Sequence, residues 1–235
     1  MKYAIIAAGE GSRLLQEGAG VHKPLVRLCG ETMLDRLIRI FRQLDAEEII
    51  LIVNEKMADV VAHARVLEKA MAESLCPLRL VVKTTPSSMH SFFEIAGYLT
   101  EAPFCLTTVD SIFKESDFKN YIAAFGQSDA DGMMAVTDYV DDEKPLYVGV
   151  GDAENIVGFF DENNGCKYIS GGVYCMKPVV METLKRCIAE GKHRMRNFQR
   201  QLIADGLRLK AYPFSKILDV DHLEDIAKAE QFLSN

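Results

Sequence analysis

The chain has 235 residues and a net charge of −7, with 49% hydrophobic and 26% charged residues. This composition is typical of a globular protein long enough for one large α/β domain or two small ones. The acidic balance argues against nucleic-acid binding, which usually needs a basic face. No apolar run approaches the ~20 residues needed to cross a bilayer. The run before Gly9 is too short for a signal peptide, so we expect a cytoplasmic protein without a membrane partner.

Strands and helices alternate through the first half of the chain. The sequence predicts helices over 33–44, about 57–74 and 88–99, and strands at KYAIIAA (2–8), EIILIVN (48–54), LRLVVK (78–83) and PFCLTTVD (103–110). This alternation predicts an α/β fold with a doubly wound parallel sheet. Ligands of such sheets bind beyond the carboxyl ends of the strands. The glycine-rich loop after Ala8 and the strand-end residue Asp110 are therefore expected at the same edge.

The second half of the chain is richer in strand-like runs. Strands are predicted over 132–139, 146–151, 155–162, 166–177, 207–214 and 216–221, and helices over 179–191, 196–206 and from about 222 onward. No linker or low-complexity segment separates the two halves. The sequence therefore predicts a single domain over 1–235, with one half at about 1–112 and an elaborated second half at about 113–235.

The glycine-rich loop has the sequence AAGEGSRL and is followed nine residues later by KPL. It is not the dinucleotide fingerprint G-x-G-x-x-G, because Leu14 stands where the third glycine belongs, and it lacks the Gly-Lys-Ser/Thr of a P-loop. Gly9 and Gly11 let backbone N–H groups turn toward an anion. Arg13 adds a forked guanidinium that matches the geometry of phosphate oxygens, and Lys23 adds a mobile point charge. The loop is therefore interpreted as a triphosphate site.

Residues 7–14 together with 23–25 resemble the signature A-A-G-x-G-[ST]-R-[LM]…K-P of nucleotidyltransferases, including the MobA-like NTP transferases. These enzymes join an NTP to a sugar phosphate, an alcohol phosphate or molybdopterin. The resemblance implies a Rossmann-like, mostly parallel sheet whose second half binds the acceptor. It also implies that Arg13 and Lys23 are catalytic, and that the nucleotide is bound by Ala8, Gly9, Gly11 and Ser12.

Acidic residues are candidates for a Mg²⁺ site. Asp110 ends an apolar strand on the ligand edge, and hard carboxylate oxygens suit Mg²⁺; the resemblance implies a magnesium aspartate there. The segment ILDVDHLEDIAKAE resembles the closing segment of the family and offers Asp219 and Asp221. One would bind metal, with a slight preference for Asp219, and the other would cap the last helix, while Asp225 is interpreted as a surface charge.

The segment TTPSSMHSFFEIA, residues 84–96, lies where the family binds the nucleotide base. Ser87 and Ser88 roughly match a small polar cluster found there. A serine-rich N-cap of the following helix is an equally good interpretation.

The segment SGGVYCMKP, residues 170–178, resembles the strand that enters the acceptor pocket of the family. Gly171 and Gly172 would allow close approach of a substrate, and Tyr174 would line the site or pack in the core. Sugar-specific members have an E-K-P triplet shortly before this strand. This chain has ENNGCK instead, so Lys167 is the nearest cation.

The sequence thus predicts Mg²⁺-dependent transfer of a nucleotidyl group from an NTP to a phosphorylated acceptor, such as a sugar 1-phosphate or phosphocholine, with release of pyrophosphate. Two alternatives stay open: a molybdopterin-type guanylyl- or cytidylyltransferase, and a regulator that binds a nucleotide without catalysis. Both carboxylate positions of the metal pair are filled, which a pure binder would not need.

Overall fold

The computed structural model describes residues 1–9, 11–141 and 143–234. Glu10 of the glycine loop lies outside them. No helix in this part of the chain is long and apolar enough to span a membrane. The helices are α1 (Ser12–Gln16), α2 (Met33–Gln43), α3 (Ala58–Met71), α4 (Ser88–Ile95), α5 (Glu115–Gly126), α6 (Val180–Ala189), α7 (Met195–Ala204) and α8 (Leu223–Ser234). The strands are β1 (Lys2–Ala7), β2 (Arg27–Leu28), β3 (Glu31–Thr32), β4 (Ile49–Val53), β5 (Leu78–Val82), β6 (Phe104–Thr108), β7 (Ser111–Phe113), β8 (Gly132–Thr137), β9 (Tyr147–Val150), β10 (Ile156–Phe160), β11 (Tyr168–Met176), β12 (Leu209–Pro213) and β13 (Ile217–Asp219).

The main sheet has the strand order β10-β9-β11-β6-β1-β4-β5, with β8 paired to β11 and β12 paired to β8. Strands β6, β1, β4 and β5 are parallel to one another. Strand β11 runs antiparallel to β6, β8 and β9, so it joins the second half of the chain to the parallel half. The carboxyl ends of β1, β4, β5 and β6 consequently lie along one edge, as the alternating pattern predicts.

Both faces of the sheet are covered, which explains why its central strands are continuously apolar. Alternate residues of β1 enter two different cores: Tyr3 and Ile5 face one, and Ala4 and Ile6 face the other. The first core contains an aromatic cluster in which Tyr3 stacks on Phe41 with ring centroids 4.5 Å apart. Helices α2, α3 and α5 cover that side, and α4, α6 and α7 cover the opposite side.

Two helices differ from the sequence expectations. Residues 12–16 were not assigned to a helix from the sequence but form α1, a short helix that begins directly after the glycine loop and buries Leu14. Helix α5 was not predicted, although Phe118, Tyr121 and Phe125 follow the helical spacing and are all buried. The short strand β7 between Asp110 and α5 was also missed, because three residues carry little periodic signal.

Two adjacent glycines let β11 pass close to the small sheet formed by β7 and β13. Gly172 has a φ of +74°, and a Cβ built there would overlap the Ser111 hydroxyl and lie 3.0 Å from the Thr108 hydroxyl. A Cβ on Gly171 would overlap the Ile217 side chain. The pairing of β11 with β8 also shifts register here. The close contacts of both glycines are therefore with the protein itself, and not with an open pocket.

We predict that Gly172→Ala lowers the free energy of unfolding by about 2–3 kcal/mol, because it adds a steric overlap to the backbone cost of a positive φ. Gly206→Ala is the matched control: its φ is +78°, and nothing lies within 4 Å of a Cβ built there. The control should lose only about 1 kcal/mol. Urea unfolding of the three proteins at 25 °C measures both values. Equal losses in the two variants would contradict the packing role of Gly172.

Candidate active site

A cleft of about 850 Å³ opens at the carboxyl ends of the parallel strands. It brings together predicted residues from four distant segments of the chain. These segments are the glycine loop, the Lys-Pro turn, the serine-rich segment and the end of β6. The lining residues are Ile6, Ala7, Ala8, Gly9, Gly11, Lys23, Pro24, Thr84, Thr85, Pro86, Ser87, Ser88, Ser91, Thr108, Val109 and Asp110.

The Lys23 ammonium lies between two carboxylates at this cleft. Its Nζ donates to Asp110 Oδ2 at 2.7 Å and to Asp221 Oδ1 at 2.5 Å, and its side chain is only 11% exposed. Burial alone would lower the pKa of Lys23, but the two carboxylates outweigh it and raise the pKa above its ordinary value. Lys23 therefore stays positively charged.

The backbone around Lys23 positions this ammonium. Lys23 begins a 3₁₀ turn that contains Pro24, and the preceding His22 is anchored by Asp59, whose carboxylate contacts His22 Nδ1 at 2.5 Å. Gly11 has a φ of +53°, and a Cβ built there would lie 2.9 Å from Lys23 Cβ. A glycine at this position therefore lets Lys23 lie close to the glycine loop.

The two carboxylates are held by neighbouring strands. Asp110 follows β6, and β13 pairs antiparallel with β7, which begins directly after Asp110. The Val220 N–H donates to the Asp110 carbonyl at 3.3 Å, which brings Asp221 beside the end of β6. Burial would raise the pKa of Asp110, yet the Lys23 charge and a hydrogen bond from Thr108 hold it below its usual value.

Asp219 lies in β13, where it is paired with Ser111 of β7. Its Oδ1 accepts from the Ser111 hydroxyl at 3.3 Å. Asp221 is therefore the C-terminal carboxylate that meets Asp110, whereas the sequence slightly favoured Asp219.

The cap of α8 comes from residues that the sequence did not assign to it. The Asp225 carboxylate accepts from the N–H groups of Asp221 at 3.1 Å and His222 at 2.8 Å. Glu17 accepts from the Leu223 N–H at 2.8 Å and contacts His222 Nδ1 at 2.6 Å. Asp225 is therefore a helix cap and not a surface charge, because its carboxylate reaches back one turn as in a capping box. The expectation that Asp219 or Asp221 caps the helix is corrected for the same reason.

Arg13 lies in a second cleft of about 780 Å³ on the other side of Asp221. Its side chain is 54% exposed and pairs with Glu143 at 3.5 Å, and Ser12 before it begins α1. This cleft is rich in carboxylates. The lining residues are Arg13, Glu17, Val140, Asp141, Glu143, Asp219, Asp221, His222, Glu224, Asp225 and Lys228. We call it the acidic cleft.

Asn54 is a positioning residue that the sequence analysis missed. It is 1% exposed, and its Nδ2 donates to the Ala8 carbonyl at 3.1 Å. Its Oδ1 accepts from the Thr84 hydroxyl at 2.7 Å. Asn54 thus ties the end of β4 to the glycine loop and to the segment after β5. Its place at the end of a buried strand, on the same edge as Asp110, was the available signal.

The serine-rich segment caps α4 and lines the cleft, and its contact with a nucleotide base stays a prediction. Ser87 lines the cleft and is also the N-cap of α4, with its hydroxyl accepting from the His90 N–H. Ser88 lines the cleft as the first residue of that helix. His90 contacts the Ser87 hydroxyl through Nδ1 at 2.9 Å and stacks on His193 with ring centroids 5.1 Å apart.

The residues predicted to bind the acceptor are not gathered around these clefts. Tyr174 is 6% exposed in the core, and burial raises the pKa of its hydroxyl. Lys167 is exposed, with its ammonium 4.7 Å from the Tyr168 ring centroid. Gly171 and Gly172 contact β7 and β13, as described above.

A third cleft, of about 930 Å³, has the charge that an anionic acceptor needs. It is lined by five lysine or arginine side chains and three carboxylates, although the chain as a whole carries −7. Its lining residues are Glu143, Lys144, Pro145, Tyr147, Asp161, Glu162, Asn163, Gly191, Lys192, His193, Arg194, Arg196, Asn197 and Arg200. We call it the cationic cleft. The sequence offered one signal that was missed, the basic run KHRMRNFQR in an acidic protein.

The cationic cleft adjoins both of the other clefts. Glu143 lines it as well as the acidic cleft. His193 lines it too, and its stack on His90 connects it to the serine-rich segment of the 850 Å³ cleft. The cationic cleft and the 850 Å³ cleft are therefore connected through His90 and His193.

The carboxylate pair fits a divalent cation that arrives with phosphates. Asp110 and Asp221 present hard oxygen donors close enough to bind one ammonium. Among the residues that the structure describes, no group of three or more His, Cys, Asp and Glu side chains could hold a metal. Mg²⁺ is commonly bound by one or two carboxylates together with substrate phosphates and water, so two ligands are sufficient here.

Comparison with known proteins gives consistent similarities. Residues 3–205 match the family described as MobA-like NTP transferase domain. The chain is 24% identical to the bifunctional IPC transferase and DIPP synthase of Rubrobacter xylanophilus over 98% of its own length, and it spans about half (51%) of that relative. The inositol-1-phosphate CTP transferase of T. maritima has the same fold, with a TM-score of 0.79 and 21% identity over 99% of this chain and 97% of that one. The predicted Rossmann-like α/β architecture is confirmed.

The His222–Glu17 contact gives a testable pH dependence. Glu17 raises the pKa of His222 above 6.5, and His222 lowers the pKa of Glu17 below 4.5. The His222 contribution is fully present below pH 6.5 and is lost as pH rises through the raised pKa, and the Glu17 contribution is present above 4.5 and is lost as pH falls. We predict that Glu17→Gln lowers the thermal midpoint most between pH 4.5 and 6.5. Thermal unfolding from pH 4 to 9 measures this, and a difference that does not change with pH would contradict the pairing.

Proposed function

The chain belongs to the MobA-like NTP transferase family, and we propose from this premise that it transfers a nucleotidyl group from an NTP to a phosphorylated small molecule. The observation that carries the proposal is the convergence of Lys23, Asp110 and Asp221 beside a glycine loop. Carboxylates, a fixed cation and backbone N–H groups that can face an anion are the parts that nucleotidyl transfer requires.

The donor would lie in the 850 Å³ cleft. Gly9 and Gly11 would present N–H groups to the triphosphate, with Ala8 beside them and Ser12 at the start of α1. Lys23 is within the same cleft. Arg13 is exposed and paired weakly with Glu143 at the border of the acidic cleft, so its fork can turn toward phosphate oxygens at little cost.

In the reaction, an oxygen of the acceptor phosphate forms a bond to the α-phosphorus of the NTP. The bond between that phosphorus and the bridging oxygen breaks, and pyrophosphate leaves with the electron pair. The acceptor phosphate is ionised at neutral pH, so no side chain has to remove a proton. Lys23 and Arg13 stabilise the charge that develops on pyrophosphate, and the clefts hold the reactants in line.

Asp110 and Asp221 would hold Mg²⁺. Bound there with the triphosphate, the ion would neutralise the α-phosphate and its leaving group. The serine-rich segment, with Ser87 and Ser88, would contact the base. The T. maritima relative is named for CTP and inositol 1-phosphate, and this pair is the first to test.

The acceptor phosphate would bind in the cationic cleft. Arg196 and Arg200 are fixed by Asp161 at 2.6 and 2.7 Å. The Arg194 carbonyl accepts from the Asn197 N–H at 3.1 Å, but its exposed side chain makes no hydrogen bond or ion pair with any described residue. Its φ is +73°, a strained value that often marks functional positions. The acidic cleft would instead repel an anion. Arg194 thus replaces Gly171, Gly172, Tyr174 and Lys167 as the acceptor residue that we favour.

The first prediction from the proposed function concerns the reaction itself. Pyrophosphate release should require Mg²⁺, an NTP and a phosphorylated acceptor, and Asp110→Asn should lower kcat by about 10³-fold because a metal-binding charge is lost. Asp129→Asn is the control, since Asp129 is exposed and pairs with the distant Arg208. A coupled pyrophosphate assay with a panel of NTPs and acceptors measures turnover. Tight nucleotide binding without turnover for any pair would favour the regulator, and turnover only with molybdopterin would favour that alternative.

The second prediction concerns the acceptor. Arg194→Ala should raise the KM for the acceptor about 10–100-fold, since a charge-assisted hydrogen bond contributes ~1.5–3 kcal/mol, and should leave the KM for the NTP within about twofold. Alanine keeps a Cβ at the strained position, so the backbone cost is unchanged. Arg208→Ala, which also removes an exposed arginine, should change neither constant. An increase confined to the KM of the NTP would place the triphosphate, and not the acceptor, at Arg194.

A further inference from the structure

The position of Lys23 has a consequence for how metal enters the site. Its ammonium donates to the same two carboxylates that are proposed to bind Mg²⁺, at 2.7 Å to Asp110 and 2.5 Å to Asp221. A divalent ion between these carboxylates would lie next to Lys23. Two cations in a partly buried site repel each other strongly, so metal and ammonium compete for the pair.

The structure gives Lys23 another place for its charge. Lys23 lines the 850 Å³ cleft together with Gly9 and Gly11. Its Cβ lies so close to Gly11 that any side chain at position 11 would collide with it. The stem of the lysine is therefore next to the loop where the triphosphate is proposed to lie. A rotation of the flexible side chain would move Nζ from the carboxylates to the phosphate oxygens.

We propose that Lys23 and the divalent metal exchange places when the nucleotide binds; this rests on the proposed function. In the free protein, Lys23 holds Asp110 and Asp221 together and prevents two like charges from repelling each other. When the metal–NTP complex binds, Lys23 releases the carboxylates and transfers its charge to the triphosphate. Metal alone therefore binds weakly, because nothing then receives the displaced ammonium, and metal and nucleotide bind cooperatively.

The exchange is tested with Mn²⁺ as the probe, measured by electron paramagnetic resonance on the protein without nucleotide. Lys23→Met removes the charge and keeps most of the length, and it should bind Mn²⁺ at least tenfold more tightly than the unchanged protein. Lys228→Met is the matched control, because Lys228 also neutralises carboxylates of the acidic cleft, with Nζ 3.1 Å from Asp225. Its Mn²⁺ affinity should stay within about twofold. Equal or weaker Mn²⁺ binding by Lys23→Met overturns the exchange.

A second measurement covers the case in which Lys23→Met does not fold without metal. Two unpaired carboxylates would then be responsible, and titration with Mn²⁺ should restore the circular dichroism spectrum at a concentration that gives the affinity by linkage. Failure of Mn²⁺ to restore the fold overturns the exchange. Lys23→Arg keeps the charge and should bind Mn²⁺ as weakly as the unchanged protein. Tight Mn²⁺ binding by Lys23→Arg would also overturn the exchange.

A failure of the exchange can be distinguished from a failure of the proposed reaction. Tight Mn²⁺ binding by Lys23→Met in a protein that releases no pyrophosphate with any substrate pair would leave the exchange standing and remove the reaction. Normal turnover of the unchanged protein, together with unaltered Mn²⁺ affinity in Lys23→Met, would support the reaction and overturn the exchange.

Discussion

The arrangement of the site depends on one electrostatic constraint, the placement of two carboxylates close together at the edge of a sheet. Asp110 and Asp221 come from strands far apart in sequence and share the ammonium of Lys23. Without a cation between them, their repulsion would oppose the pairing of β13 with β7. Two nearby glycines allow these residues to come close together. Gly11 makes room for Lys23, and Gly172 makes room for Ser111, the residue after Asp110.

Charge is distributed unevenly around this centre. The acidic cleft and the cationic cleft meet at Glu143, and the 850 Å³ cleft lies between the glycine loop and the serine-rich segment. Clefts of opposite sign focus the field in different directions. An anion is therefore drawn to one side and a cation to the other, in a protein whose overall charge would repel every phosphate compound.

The sequence predicted the frame of the site better than its details. Apolar runs ending in Gly9 and Asp110 fixed the ligand edge, because parallel strands end on the same side. The closing segment offered both Asp219 and Asp221 but could not say which one reaches Lys23, since that depends on the pairing of β13 with β7. Asn54 was overlooked although it ends a strand on the same edge.

The acceptor side shows the limit of a single sequence. A pair of glycines indicates that something comes close to the backbone, but it does not say whether a substrate or another strand does. Gly171 and Gly172 are next to Ile217 and Ser111, which follow from long-range packing. The cations of the cationic cleft come from the loop at 144, from the segment between α6 and α7 and from α7, so their meeting depends on contacts between separate elements. Helix α5 is different, because Phe118 and Phe125 already had the helical spacing.

The sequence separation of 198 residues between Lys23 and Asp221 also has a meaning for biosynthesis. While the ribosome is still making β13, the nascent polypeptide already contains the glycine loop and Asp110, but the ammonium has one of its two carboxylates. The proposed pair of metal-binding carboxylates is therefore complete only after β13 has docked on β7.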